Sequence, residues 1–150
     1  MKIPLRVRKR FGQPMPFVFI IVRAPHVKPV PIDVLVDTGS PWMAIAPGDS
    51  QRLRIPVSSL EKAEEYQIVQ LAGYKFRRLL LKRATIHLRG EQGKLVKVDM
   101  QSVTVLQPVG KPSSYIKQIP SVLGSDFLVA GRFALHFDPA NRTAYLNKQL

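Results

Sequence analysis

Short segments rich in Val, Ile, Leu and Phe alternate with polar turns along the whole chain. Thirteen prolines and nine glycines punctuate these segments, which favours strands over long helices. In the first third of the chain the predicted strands are 17–23, 32–36 and 42–46. Residues 48–53 are expected to form a short helix, with Asp49 and Ser50 able to cap its first turn. The pattern therefore predicts a mainly β protein.

Two hairpins are predicted in the middle of the chain and one at its end. Residues 66–71 and 74–81 are joined at Ala72-Gly73, where glycine can adopt a positive φ. The second pair, 84–88 and 95–106, surrounds the polar turn RGEQGK, and apolar residues alternate along its second strand. A short helix is then expected within 125–133. The last hairpin joins 133–138 to 143–146 through the turn PANR, with Asp138 as a turn residue.

Length and composition narrow the class of protein. A chain of 150 residues can bury one core without metal or disulfide, so residues 1–150 are expected to form a single domain. The absence of cysteine excludes disulfides, thiolate metal sites and a cysteine nucleophile. Its three histidines are scattered, so no metal site is expected. The longest apolar run, 17–22, is too short to cross a bilayer, and the expected location is cytoplasmic.

The chain is strongly basic, with 23 Lys and Arg against 10 Asp and Glu and a net charge of +13. Five of the basic residues lie in 2–10 and eight in 75–97. Nucleic-acid binding is the less favoured interpretation, because few aromatic residues are interleaved with the charges and no nucleic-acid-binding motif is recognised. A solvated basic face is favoured instead.

The sequence VLVDTGS of residues 34–40 places an acid directly after three apolar residues. A buried strand should run there straight into a turn, where an ionisable group is costly to hold. Asp-Thr-Gly by itself is common, because aspartate and glycine are ordinary turn residues. The apolar segment before it makes Asp37 the candidate catalytic residue.

Residues 34–46 resemble the signature of the aspartic peptidases, an apolar strand, Asp-Thr-Gly-Ser and a further apolar strand. A second resemblance lies 85 residues beyond Gly39, where Val122-Leu123-Gly124 is similar to the hydrophobic-hydrophobic-Gly element that packs behind the catalytic loop in this family. The resemblance covers about 17–146. It implies a closed or partly open β-barrel of the acid-protease type, with one or two short helices.

Two-lobed members of the family carry two Asp-Thr-Gly motifs, whereas this chain has one. The resemblance is therefore to the retropepsin-like group, which implies a homodimer with Asp37 facing the partner subunit's Asp37. It also implies an endopeptidase that hydrolyses peptide or protein substrates with a water activated between the two aspartates, without metal or cofactor. In that setting Thr38 would hydrogen-bond across the dimer axis, Gly39 would leave room for substrate, and Ser40 would support the aspartate.

The predicted hairpin stands where the family carries its flap, so Leu71, Ala72, Gly73 and Tyr74 are candidate substrate-binding residues. Two departures from the family pattern concern the second motif: Ser125 stands where the family has arginine, and the spacing between the motifs is longer than in compact viral enzymes. Trp42 is interpreted as a core or wall residue, and Asp126 as a helix cap.

Other functions remain as alternatives. A non-catalytic module of the same fold could contact protein or nucleic acid through its basic surface, since fold alone does not fix function. Serine-triad chemistry fits poorly, because Ser40 lies in no nucleophile-elbow pattern.

Overall fold

The computed structural model describes residues 1–111 and 113–149. Within them the chain forms two α-helices, α1 (Pro47–Arg52) and α2 (Ser125–Gly131), and twelve strands. The strands are β1 (Lys2–Pro4), β2 (Arg6–Arg10), β3 (Gln13–Arg23), β4 (Ile32–Val36), β5 (Ala44–Ile45), β6 (Glu61–Lys62), β7 (Ile68–Leu71), β8 (Tyr74–Arg89), β9 (Leu95–Pro108), β10 (Ser121–Leu123), β11 (Phe133–Asp138) and β12 (Thr143–Lys148).

Six of these strands close into a barrel in the order β3-β4-β10-β5-β9-β8, because β8 pairs back onto β3. Strands β2, β6 and β7 extend the same sheet, and β1, β12 and β11 form a separate three-stranded sheet. Closing the sheet on itself satisfies the backbone groups of strands that would otherwise be edges. The prediction of a mainly β, barrel-type fold with one or two short helices is confirmed.

Alternating side chains of the barrel strands form the core. Along β3, Val18, Ile20 and Val22 point into the larger of two buried clusters, while Phe17 belongs to the smaller one. Strand β4 is buried on both sides, since Val34 and Val36 enter the larger cluster and Leu35 the smaller. This double burial explains why the segment reads as a continuous apolar run.

The middle of the barrel brings two distant segments together. Strand β10 lies parallel to β4, with Leu123 opposite Val36, and antiparallel to β5, with Val122 opposite Ala44. Because parallel strands end at the same edge of a sheet, the residues that follow β4 and β10 lie side by side.

Several predicted boundaries were wrong. The segments 74–81 and 84–88 form one strand, β8, in which Arg83 adopts φ 57° and ladder pairs continue on both sides of it. Predicted strand 42–46 is reduced to the two residues of β5. Strands β1 and β2 were not predicted, because the alternating arginines of β2 pair with β3 through the backbone and carry little apolar signal.

Helix α1 begins at Pro47 with Ala46 as its N-cap, and no side chain caps it. The prediction that Asp49 and Ser50 cap the first turn is therefore wrong. Asp49 instead accepts a hydrogen bond from the Ser121 hydroxyl, Oγ to Oδ2 2.6 Å, and Ser121 Oγ accepts from the Ala46 amide at 2.9 Å. This pair of bonds fixes α1 to strand β10.

Ser121→Ala is expected to lower the free energy of unfolding by about 1–3 kcal/mol, because the buried Ala46 amide loses its acceptor and Asp49 its donor. Urea unfolding measures this loss. Ser58→Ala, at an exposed serine in a 3₁₀ turn, is the matched control and should change stability little. Equal stability of the two variants would contradict the assigned role of Ser121.

None of the helices formed by the described residues has the length and apolarity needed to cross a membrane.

Candidate active site

Asp37 lies in the loop that follows β4, with its side chain half-buried. Its amide donates to the Leu123 carbonyl at 3.0 Å, which continues the pairing of β4 with β10. The Gly39 amide donates to Asp37 Oδ1 at 2.9 Å, and the Ser40 amide donates to the Asp37 carbonyl at 3.2 Å. The carboxylate is thus held by its own turn, with the second oxygen left for other partners.

Gly124 lies against the back of this loop. A β-carbon at that position would stand 2.5 Å from the Trp42 carbonyl oxygen and 2.6 Å from that of Ser40. The next amide, of Ser125, donates to the Ser40 carbonyl at 2.8 Å. The two motifs that lie far apart in the sequence are therefore in direct contact, and glycine is required because the space is filled by backbone.

The other loop residues differ in exposure and contacts. Thr38 and Gly39 are exposed at the tip, whereas Ser40 is half-buried. The Ser40 hydroxyl donates to the Trp42 carbonyl at 2.7 Å, so its side chain fixes the path of the loop, and its amide makes the contact with Asp37. The loop leaves the Asp37 carboxylate and Thr38 at one edge of the barrel.

The predicted hairpin forms from β7 and β8. Ala72 at φ 52° and Gly73 at φ 81° make the turn, closed by the pair Leu71 and Tyr74. Positive φ at both central residues matches the tight turn that suits the twist of a hairpin. Leu71, Ala72 and Gly73 are exposed and Tyr74 is half-buried, so the tip projects from the barrel, and its action as a flap stays a prediction.

Arg78, on the β8 arm of the hairpin, connects the hairpin to the Asp-Thr-Gly loop. Its guanidinium lies 3.9 Å from the centre of the Trp42 ring, and its Nη1 donates to the Glu65 carbonyl at 3.0 Å. Tyr66 contacts Trp42 from a ring-to-ring distance of 5.6 Å. Trp42 is half-buried, as expected of a wall residue. Sequence reasoning missed Arg78, which carries no local signal of these contacts.

Asp126 was interpreted as a helix cap, and this was wrong. Gly124 occupies the N-cap position of α2, and no side chain caps the helix. Asp126 Oδ1 instead accepts from the amides of Met43 and Phe127, both at 2.6 Å. The carboxylate therefore ties α2 to the segment that follows the Asp-Thr-Gly loop.

Burial raises the pKa of the Asp126 carboxyl above its ordinary value. The two amide hydrogen bonds and the charge of Arg78 act in the opposite direction, but burial has the largest effect. Because the pKa of this carboxyl is higher in the folded state than in the unfolded state, folding disfavours its charged form. The stability contributed by protonated Asp126 is present below its unfolded pKa and is lost as the pH rises through the folded value.

Asp126→Asn keeps an oxygen acceptor without the charge, so the variant should gain stability relative to the wild type as the pH rises from about 3 to 7. Urea unfolding across this range measures the difference. Asp138→Asn is the contrasting control, because hydrogen bonds from Asn141 lower the pKa of the Asp138 carboxyl. That variant should lose relative stability as the pH rises. A constant difference between Asp126→Asn and wild type would contradict the assigned effect of burial.

Within residues 1–111 and 113–149 no three His, Asp or Glu side chains are grouped so that they could hold a metal ion.

No family model matches the sequence, and the search of curated proteins gave no match either. Among solved structures, the chain is similar to a retropepsin-like aspartic protease from Rickettsia conorii, with 20% identity and a TM-score of 0.55. That likeness covers 99% of this chain and 91% of the other. The EIAV protease in complex with the inhibitor HBY-793 also matches, with 15% identity, a TM-score of 0.46 and coverage of 82% and 92%.

The likeness to the Rickettsia protein extends over nearly the whole of both chains, and the closed six-stranded barrel with two short helices agrees with it. This chain therefore has the acid-protease fold of the retropepsin-like aspartic proteases.

Proposed function

We propose that the chain is one subunit of an aspartic endopeptidase that acts as a homodimer, with residues 1–150 forming a single peptidase domain. The observation that carries the proposal is the contact between the Asp-Thr-Gly loop and Gly124. It holds a half-buried carboxylate at the end of a barrel strand, where an ionisable group is costly to bury. The acid-protease fold supports the same chemistry.

One Asp37 per chain gives half of a two-aspartate site, and twofold association would supply the other half. Two unit charges 4 Å apart repel by about 4 kcal/mol at an effective dielectric constant near 20, so the pair should hold one proton between them. Aspartic proteases are the standard example of such sharing. The ionised carboxylate then takes a proton from a bound water, which attacks the peptide carbonyl, while the protonated one donates to the developing oxyanion.

The other residues take supporting roles in this proposal. Thr38, exposed at the tip of the loop, would bond across the dimer axis, and Gly39 would leave room for the substrate. Leu71, Ala72, Gly73 and Tyr74 would form a flap over an extended peptide. The chemistry requires no metal or cofactor, and cytoplasmic location remains a prediction.

A cleavage assay tests the proposal. The protein is incubated with a mixture of unstructured peptides between about pH 3 and pH 8, and the cuts are mapped by mass spectrometry. We expect internal cuts at apolar residues, with a bell-shaped pH dependence because one carboxyl must be ionised and the other protonated. Activity should persist with EDTA and with a serine-directed acylating reagent. Absence of cleavage throughout, or inhibition by either reagent, would contradict the proposal.

The net charge of +13 is the observation that favours the alternative, a non-catalytic module that binds through its basic surface. That alternative predicts no cleavage at any pH. It also predicts nucleic-acid binding that weakens steeply with salt.

A further inference from the structure

The outward face of strands β3, β8 and β9 combines positive charge with apolar surface. Ladder pairing places Ile21 opposite His87 and His87 opposite Lys97, while Arg89 lies opposite Leu95 on the same two strands, β8 and β9. Together with Arg23 these side chains line an open groove of about 610 Å³. We call it the basic groove: Ile21, Arg23, His87, Arg89, Leu95 and Lys97.

Among residues 1–111 and 113–149, no acidic side chain forms an ion pair with a cation of the basic groove. The ion pairs formed by the described residues involve other basic residues, namely Arg6, Arg8, Arg52 and Lys82. Arg89 donates to the Gly93 carbonyl at 3.0 Å, a neutral acceptor. On the same strands Asp99 accepts from the Thr85 hydroxyl at 2.8 Å, and on the neighbouring β4 Asp33 holds Arg6 and Arg8. The groove therefore carries a net positive charge, with the Asp99 carboxylate on the same face of β9, two residues from Lys97.

His87 lies among these cations, opposite Ile21 on β3 and Lys97 on β9. Its pKa is lowered by burial first and then by the charges of Arg23, Lys97 and Arg89. Three cations thus act together on one point in the middle of the groove.

The apolar part of the groove favours a peptide over a nucleic acid. Leu95 is 43% exposed and the floor is aliphatic. Phe19 is the one Phe, Tyr or Trp residue of the lining, and the Arg6 guanidinium already lies 4.1 Å over its ring. Single-stranded nucleic acids bind mainly on successive free aromatic faces, which this surface does not offer. Charge complementarity over an aliphatic floor instead fits carboxylates beside apolar side chains.

We propose that the basic groove is an exosite that binds an acidic, apolar segment of protein substrates, outside the segment that is cleaved. Because an exosite presupposes a protease, this inference rests on the proposed function. The net charge of +13 would steer such substrates to the surface and repel basic ones. The substrate class is therefore acidic proteins.

Binding can be measured without cleavage, in the background of Asp37→Asn. The probe is a fluorescein-labelled peptide of alternating Glu and Leu, followed by fluorescence anisotropy at fixed salt. Adding Arg23→Glu and Lys97→Glu should weaken binding by about 10-fold or more, because two attractive charges become repulsive. The milder pair Arg23→Gln and Lys97→Gln should weaken peptide binding by about 3-fold. This pair replaces the first if charge reversal impairs folding.

The matched control carries Lys9→Glu and Lys117→Glu, which change the net charge equally at exposed positions outside the groove. It should keep the affinity within about 2-fold. If the control loses as much affinity as the groove variants, binding depends on the net charge of the protein and not on the groove, and the proposal is overturned. A single-stranded oligonucleotide of the same charge is the second probe. If it binds more tightly than the peptide and the groove variants lose this binding, the peptide assignment is overturned.

In the active protein, the groove variants should raise KM for a substrate with an acidic apolar extension and leave kcat unchanged. The KM for the same substrate without the extension should not move. If no peptide is cleaved, the proposed function fails while the anisotropy result still decides whether the groove binds acidic peptides.

Discussion

Asp37→Asn is expected to abolish peptide cleavage, lowering kcat/KM by at least about 10⁴-fold, because one substitution removes both carboxylates of the proposed homodimeric site. Neither the general base nor the general acid would then remain. The asparagine oxygen can still accept from the Gly39 amide, so the loop should keep its conformation. The variant should therefore unfold at the same urea concentration as the wild type.

Asp138→Asn makes the same chemical change at a half-buried turn residue and serves as the control. It should retain full activity. Cleavage by Asp37→Asn at a rate near that of the control would contradict the assignment of Asp37 as the catalytic residue.

Gly124→Ala is expected to damage both stability and activity. The φ of Gly124 is −93°, which suits any residue, so the glycine is required for space alone. Its new β-carbon would overlap the carbonyl oxygens of Ser40 and Trp42, which are backbone atoms that move only if the loop moves. We expect a loss of about 2–4 kcal/mol, since overpacked positions are strongly destabilising.

Displacement of the same loop should lower kcat/KM by about 100-fold even in the folded fraction, because small misplacements of catalytic groups are costly. Urea unfolding and peptide cleavage measure the two effects. Gly110→Ala, at φ +83° with open space around it, carries a conformational cost without a clash. It should leave activity unchanged, and a Gly124→Ala protein of normal activity would contradict the supporting role of Gly124.

The loop that follows β4 could be located from the sequence because its signal is local. An apolar strand that ends in an acid and a glycine can be recognised from 34–40 alone, and Ala72-Gly73 predicts its own turn. Recognition of the second motif came from resemblance, and the parallel pairing of β10 with β4 then explains why the two motifs meet.

Contacts between distant residues could not be predicted in the same way. Asp49 and Asp126 both stand near helix starts, where capping is the common use of an aspartate. Their carboxylates bond instead to Ser121 and Met43, which folding brings near from more than 70 residues away. The stacking of Arg78 on Trp42 depends likewise on the path of β8 around the barrel.

Strands β1 and β2 show a different failure. Lysine and arginine dominate 2–10, and the segment reads as a charged terminus. Yet Ile3 and Leu5 are buried, and backbone pairing with β12 and β3 supplies the rest of the stabilisation. Side-chain patterns report poorly on strands that are held mainly through their backbone.

Refolding wild-type protein together with a ninefold excess of Asp37→Asn tests most directly whether one active site needs two chains. The mixture is refolded from urea at a concentration where wild-type activity per subunit no longer rises with concentration. If each active site takes Asp37 from two subunits, most wild-type chains pair with the inactive variant, and the activity falls to about one tenth. Unchanged activity per wild-type chain would show that a single chain is sufficient and would contradict the account.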